Sequence, residues 1–437
     1  MKDFFMQKDD LEYAEYLNNQ TNFCSWAFTH TDYTNNGNWR VCCKGKAIAT
    51  NEKYKTIDQF WNSDERNELR RMMINNESFH LCKKECYEKE KPDIANSLRK
   101  TGNISFIANH GKKRVEQLIA DTNLDGSLDM SNSMGLELRI SNLCNLKCRM
   151  CSPQFSTRTV KDWKEILPII ANDDRPLPNY NYEEYIENPL RRLEYIEIKT
   201  MLETTKGSLK RLVFTGGEPF MEPHLLNVIK DISNYAKDIE LIFVSNGTKF
   251  ENLEDFDYYF RKFKKVIIKL SCDGTKNHYN YIRQNSDWEH FSQEALYLKN
   301  FKVVIDFNIV VQIYNYSNVL ETIEWILDNF EFTDINLFFL EWPYFLSVYC
   351  LPIPIKEKFK SDLTNWAEQF LNKDNKLNPN QKKIIHDRVI QLSNQIFLKN
   401  NQLSLKTFKE VSNKLDEVQN VSVKWRELLP ELSKALE

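Results

Sequence analysis

The sequence predicts an α/β protein built on a six-stranded parallel partial (β/α)6 barrel of TIM-like form, spanning residues 135–350. Three observations point there. Short β-rich runs recur at 136–141 (LELRIS), 211–215 (RLVFT), 240–246 (ELIFVSN), 265–271 (KVIIKLS), 303–312 (VVIDFNIVVQ) and 335–342 (INLFFLEW). Helix-compatible stretches such as PHLLNVIKDISNYAKD and NVLETIEWILDNF separate most of them, and this alternation argues for parallel strands joined by right-handed crossovers. Polar residues and glycines also gather directly after the first four runs, and parallel α/β folds bind ligands at the carboxyl ends of their strands. Six such units suit a partial barrel better than a closed eight-stranded one.

Taken in order, residues 1–110 form a cysteine-bearing, turn-rich region with a helical stretch near Ile57–Met73. Residues 111–134 read as a linker because they run into the polar, turn-forming NLDGSLDMSNSMG. The first barrel interval is unusually long: KDWKEILPII, then a Pro/Asn/Tyr-rich patch, then NPLRRLEYIEIKTMLETT, which reads as a helix with an insertion. Residues 351–437 read as helices, with amphipathic periodicity in KFKSDLTNWAEQFL and KKIIHDRVIQLSNQIF. Their charged faces read as solvated cover for the barrel.

A hydrophobic content of 41% with 28% charged residues is ordinary for a globular protein. The formal net charge of −3 offers no global attraction to a polyanion, which argues against a nucleic-acid partner. No apolar run approaches the roughly 18–20 residues needed to cross a membrane, and the acidic opening MKDFFMQKDDLEYAEY lacks a secretory core, so the expected location is cytoplasmic. Ten cysteines in such a chain favour metal or redox chemistry over a disulfide framework.

Cys144, Cys148 and Cys151 lie on one short loop, CNLKCRMC, directly after the first strand, with no fourth partner nearby. A structural zinc or electron-transfer site closes its coordination with four ligands, whereas three thiolates can hold three corners of a 4Fe–4S cube and leave one iron open. A zinc knuckle borrowing a distant ligand would use the same three thiols. Thr215-GGEP-Phe220 follows the second strand, Ser245-Asn246-Gly247 the third and Ser271-Cys272-Asp273-Gly274 the fourth. Strand alternation places Glu137, Arg139 and Ser141 on one face, and likewise Asp306, Asn308 and Gln312. Those polar sets are expected to line the lumen, which makes Glu137, Arg139, Asn246 and Asn308 candidate substrate contacts. Ser271 and Asp273 point together, and Cys272 is expected to point into the helix layer.

The CxxxCxxC spacing of Cys144, Cys148 and Cys151, together with Gly216, Gly217, Glu218 and Pro219, resembles the radical S-adenosylmethionine (SAM) superfamily over about Leu136 to Pro343. The resemblance implies a 4Fe–4S cluster whose open iron is chelated by SAM, reductive cleavage to a 5′-deoxyadenosyl radical, and abstraction of a substrate hydrogen atom. It implies a low-potential electron donor such as flavodoxin or ferredoxin. It also implies cofactor contacts at Met150 against the adenine, Gly216, Gly217 and Glu218 at the methionyl amine, Ser271 and Asp273 near the ribose and methionyl groups, Arg283 at the carboxylate, and Gln312 near the adenine edge.

Cys24, Gly37 and Cys42 read C-x12-G-x4-C, and Cys82 and Cys86 read C-x3-C. The first half is similar to the opening of the SPASM and twitch auxiliary-cluster modules, here placed before the barrel. Cys24, Cys42, Cys82 and Cys86 would close a second 4Fe–4S cluster; Cys43 competes with Cys42, and structural zinc accepts four thiolates equally well. Relatives carrying such modules often oxidise or cross-link peptide side chains, so a peptide or protein side chain is the expected substrate. The alternatives are a small molecule or nucleotide whose phosphate meets Arg139, and a non-catalytic iron–sulfur or zinc scaffold.

Overall fold

The computed structural model describes residues 7–90, 97–173, 182–250, 252–331, 333–373, 377–399 and 404–437. Most of the Pro/Asn/Tyr-rich patch of the first barrel interval lies outside the described residues, as do the first six residues of the acidic opening.

One nine-stranded sheet organises the chain, in the order β3-β2-β1-β4-β5-β6-β7-β8-β9. Six strands lie where the β-rich runs fall: β4 (Gly135–Ser141), β5 (Arg211–Gly216), β6 (Glu240–Ser245), β7 (Lys265–Ser271), β8 (Val304–Val311) and β9 (Ile335–Phe339), each parallel to its neighbour. Three more come from the N-terminal region: β1 (His30–Tyr33), β2 (Asn38–Arg40) and β3 (Ala49–Thr50). β1 pairs in parallel with β4, Asp32 opposite Glu137, and β2 and β3 continue antiparallel. The sheet thus holds nine strands, the six of the barrel region extended by three from the N-terminal region. The added strands are short and polar (HTDY, NWR), below the length at which alternation can be read.

Alternation sorts the two faces as the pattern demands. Leu136, Leu138, Leu212, Phe214, Leu241, Phe243, Val266, Ile268, Phe307 and Ile309 are buried in the large core under the helices. On the other face Val213, Ile242 and Ile267 form a small separate apolar layer inside the lumen. Their register continues outward to Glu137 and Val304. Each fully buried Leu, Ile or Phe stabilises the fold by about 1.5–3 kcal/mol, so the large core dominates.

The stretch 111–134 is not a linker. Helix Lys112–Asp121 buries Val115 and Leu118, and these join Leu128, Ala14, Leu17, Phe28, Trp61 and Ile107 in a second core. Its polar residues are the outer face of an amphipathic helix, which composition alone reads as a connector. Helices Ile353–Asn372, Pro379–Gln395 and Leu405–Val418 form the C-terminal region. Their inner faces join the barrel core through Phe359, Leu363, Val389, Phe408, Val411 and Leu415. Among the described residues no helix is long and apolar enough to cross a membrane.

Candidate active site

The cysteine loop leaves β4 and is held by its own backbone. Cys151 N donates to Cys148 O (2.9 Å), Ser156 Oγ to Leu146 O (2.6 Å), Trp163 Nε1 to Cys151 O (2.8 Å) and Asn142 Nδ2 to Pro153 O (2.8 Å). Leu146 is fully buried between Cys144 and Cys148, with Met150 and Cys151 packed on the same small cluster. The three thiols therefore face one another. Burial, with Cys148 and Glu218 nearby, pushes the Cys144 thiol up to about 12. The neighbouring Cys151 thiol holds Cys148 below the usual thiol range, helped by Arg283, and Cys148 together with burial pushes Cys151 up.

The GGEP turn is joined to the root of this loop. Gly217 N donates to Ser141 O and Glu218 N to Leu143 O, both 2.7 Å. A Cβ on Gly216, which has φ +129°, would lie 2.2 Å from Ser141 O, and one on Gly217 would lie 2.1 Å from Leu143 O. The glycines thus allow backbone to approach backbone, fixing the turn against the cysteines. Glu218 is buried and accepts from Ser245 Oγ (2.9 Å), Asn246 N (2.7 Å) and Phe220 N (3.2 Å). Despite those donors, burial raises its carboxyl to about 7.

Asp273 and Arg283 form a buried pair at 2.7 Å. Asp273 Oδ1 also accepts from Val310 N (2.8 Å), and Arg283 Nη1 reaches Cys148 Sγ at 3.9 Å, while its Nε has no protein partner. Gln312 is fully buried and both polar atoms of its amide lack a protein partner. Asn315, which the sequence reading missed, fixes this corner: its Nδ2 donates to Asp273 O and Val310 O and its Oδ1 accepts from Gln312 N. Ser271 shares the lumen face with Asn308, whose Oδ1 accepts from Asn336 Nδ2 (3.2 Å). Cys272 is fully buried in the core under the helices, on the side opposite Ser271.

Two substrate-contact candidates lie deeper in the lumen. Glu137 is raised to about 7 by burial and by Asp32, its cross-strand neighbour, against the pull of Arg211, Arg40 and Arg139. Arg139 lies over the Phe155 ring at 4.7 Å. A bulge between Arg139 and Ser141 breaks the alternation of β4, and Ser141 commits its hydroxyl to Glu222 and to Leu143 N. Asn246 also departs from the expectation of a substrate contact. Its Nδ2 turns to Cys144 Sγ (3.6 Å) and Asn145 Oδ1 (2.9 Å), and its Oδ1 accepts from Thr248. Lys269, opposite Asp306 on the lumen face, was missed although the alternation of KVIIKLS marks it; burial lowers its ammonium pKa.

The N-terminal cysteines meet at the edge of this wall. Cys24 precedes helix Ser25–Thr29, Cys42 follows β2, and Cys82 and Cys86 lie one helical turn apart on 80–87. Besides burial, Cys86 and Cys82 raise the Cys24 thiol, and Cys43, then Cys24 and Cys86, raise the Cys42 thiol. Cys43 is exposed, and Glu137 and Asp32 also act on its thiol. Arg99, ion-paired to Glu90 at 2.6 Å, lies beside this group and ties in the carbonyls of Asn18, Thr21 and Phe23. Among the described residues no three Cys, His, Asp or Glu side chains converge as a single metal ion requires. An iron–sulfur cube spreads its thiolates more widely than one tetrahedral ion, whose sulfurs lie about 2.3 Å from a common centre.

The family model of the radical SAM superfamily matches residues 138–326. A UPF0026 protein of Helicobacter pylori strain J99 is 29% identical over 101 residues, 20% of this chain and 30% of that protein. A UPF0026 protein from a second strain of the same organism is 28% identical over the same length. The chain thus spans under a third of these curated relatives. Among solved structures, anSMEcpe with bound AdoMet and Cp18Cys peptide aligns at TM-score 0.37 and 18% identity, covering 54% of this chain and 60% of that one. Streptococcus suis SuiB bound to S-adenosylmethionine aligns at 0.33 and 15%, covering 66% and 57%. TYW1 with a lysine-pyruvate adduct aligns at 0.27 and 14%, covering 55% and 74%. The match over residues 138–326 is thus a likeness to the radical SAM superfamily across the barrel region of the chain.

Proposed function

We propose that the barrel binds a 4Fe–4S cluster through Cys144, Cys148 and Cys151, with SAM on the open iron, and abstracts a hydrogen atom from a substrate held in the lumen. When bound, the cluster and SAM supply the reducing electron and the 5′-deoxyadenosyl radical. The observation that carries this reading is the stitching of Gly217 and Glu218 to Ser141 and Leu143, which sets the Glu218 carboxyl beside the Cys144 thiol of the three-cysteine loop. Glu218 suits the methionyl ammonium, the free Nε of Arg283 its carboxylate, and the unpartnered amide of Gln312 a polar heterocycle edge. Met150, Ser271 and Asp273 complete the cofactor pocket. Arg283 also donates toward Cys148 Sγ, which favours the thiolate.

Cys24, Cys42, Cys82 and Cys86 are proposed to hold a second 4Fe–4S cluster. Support comes from the mutual influence of their thiols. Because β1 pairs with β4, a substrate in the lumen would lie between the two cofactor sites, suiting electron transfer from a peptide or protein side chain. A second reading, an anionic small molecule or nucleotide, is favoured by the lumen cations Arg139, Arg211 and Lys269.

Anaerobic reconstitution tests both clusters. The expected result is about eight irons per chain and dithionite-dependent release of 5′-deoxyadenosine from SAM. Retention of cleavage in Glu218→Ala at wild-type SAM affinity would overturn the placement of the cofactor.

A further inference from the structure

Arg149 stands between Cys148 and Cys151, yet it is buried. Its Nε donates to Tyr281 O (3.0 Å), its Nη1 to the Tyr281 hydroxyl (2.8 Å), and its Nη2 lies 2.8 Å from Asp416 Oδ1 on helix Leu405–Val418. The guanidinium sits 3.7 Å over the Tyr281 ring. Tyr281 donates its hydroxyl to the same carboxylate oxygen (2.8 Å), and Asp416 Oδ2 accepts from Trp425 N (3.0 Å). The backbone follows the same path: Arg149 N donates to Ile282 O (2.9 Å) and Lys147 N to Gln284 O (3.1 Å). Two further contacts seat the helix on the segment after the loop, Gln419 Nε2 to Asp162 Oδ2 (2.6 Å) and Lys414 with Glu165 (3.0 Å).

A buried guanidinium without its counter-ion is penalised by more than the pair itself contributes, so Arg149 follows Asp416. The tyrosine between them is orienting both groups at once. We propose that Asp416 is a positioning residue for the cysteine loop: through Arg149 it fixes the Cys148–Cys151 segment, so that the C-terminal helix sets the spacing of two of the three thiolates. That this spacing serves a cluster rests on the function proposed above; the mechanical coupling does not. The C-terminal helices are accordingly more than a solvated cover.

Amide hydrogen exchange on the full-length apoprotein tests the coupling without any cofactor. In Asp416→Asn, exchange over residues 144–151 is expected to rise about ten- to a hundredfold, the equivalent of one charge-assisted hydrogen bond, while the amides of β6 and β7 stay as in the wild type. Asp416→Glu is expected to restore most of the protection. After anaerobic reconstitution, Asp416→Asn is further expected to shift the midpoint potential or the SAM-bound electron paramagnetic resonance spectrum of the barrel cluster. Wild-type exchange across 144–151, or a rise confined to 405–418, would overturn the proposal. If Asp416→Asn does not fold, Tyr281→Phe, which removes only the bridging hydroxyl, is read the same way: faster loop exchange supports the coupling and unchanged exchange contradicts it.

Discussion

Glu218 combines two demands that oppose each other. It must be buried to receive Ser245, Asn246 and Phe220, and burial raises its carboxyl to about 7. A carboxyl whose folded pKa lies above its unfolded value binds more protons in the native state, so the native state loses stability as pH rises from about 4.5 to about 7. The loss amounts to roughly 3 kcal/mol, taking 1.36 kcal/mol per unit. Glu218→Gln in the apoprotein is therefore expected to gain thermal stability relative to the wild type above pH 7 and to match it near pH 4.5; equal pH profiles would contradict the burial argument. The same variant should bind SAM at least about tenfold more weakly, because one charge-assisted contact is lost. Gly217→Ala tests the stitching: its Cβ would strike Leu143 O, costing about 1–3 kcal/mol and displacing the turn. Fluorescence-monitored urea unfolding reads the first effect and equilibrium SAM binding the second. Sequence spacing placed these residues together, but not the cost. The distance between a glycine and a carbonyl 74 positions earlier is a property of the folded sheet, where β4 and β5 lie side by side.

At the scale of elements, six barrel strands were legible because each is an apolar or alternating run bounded by turns or helices. β1 was not. His30–Tyr33 carries no apolar residue before Tyr33, and its strand state comes from pairing with β4, a tertiary gain over local propensity. The helix Lys112–Asp121 was hidden for a related reason: KKRVEQLIAD has a clear buried stripe, but the turn residues that follow it dominate the composition of the segment. These elements tie the N-terminal region to the barrel. Removal of residues 1–134 would strip β1 from β4 and leave a hydrophobic parallel strand edge unpaired. The truncated chain 135–437 is expected to aggregate on size-exclusion chromatography; a monomer with a cooperative melt would show the barrel to be independent of β1.

Across the whole molecule, chemistry-bearing side chains from distant parts of the chain converge on one sheet: Asp32 and Arg40 from the N-terminal strands, Glu137 and Arg139 from β4, Lys269 from β7, and Asp416 through Arg149. The motif-bearing loops could be read in advance because each follows a strand. Asp416 could not, since nothing in KTFKEVSNKLDEV distinguishes a buried counter-ion from a solvated acid. Replacing Cys24, Cys42, Cys82 and Cys86 together by alanine is expected to lower iron from about eight to about four per chain while sparing SAM cleavage. Unchanged iron would place the second cluster elsewhere. The central claim is the coordination position left open by Cys144, Cys148 and Cys151. It is tested most directly by measuring 5′-deoxyadenosine released from SAM by the anaerobically reconstituted, dithionite-reduced protein, beside its Cys148→Ala variant. Release by the wild type and its loss in the variant is the predicted result; no release from wild-type protein carrying a full barrel cluster would contradict the account.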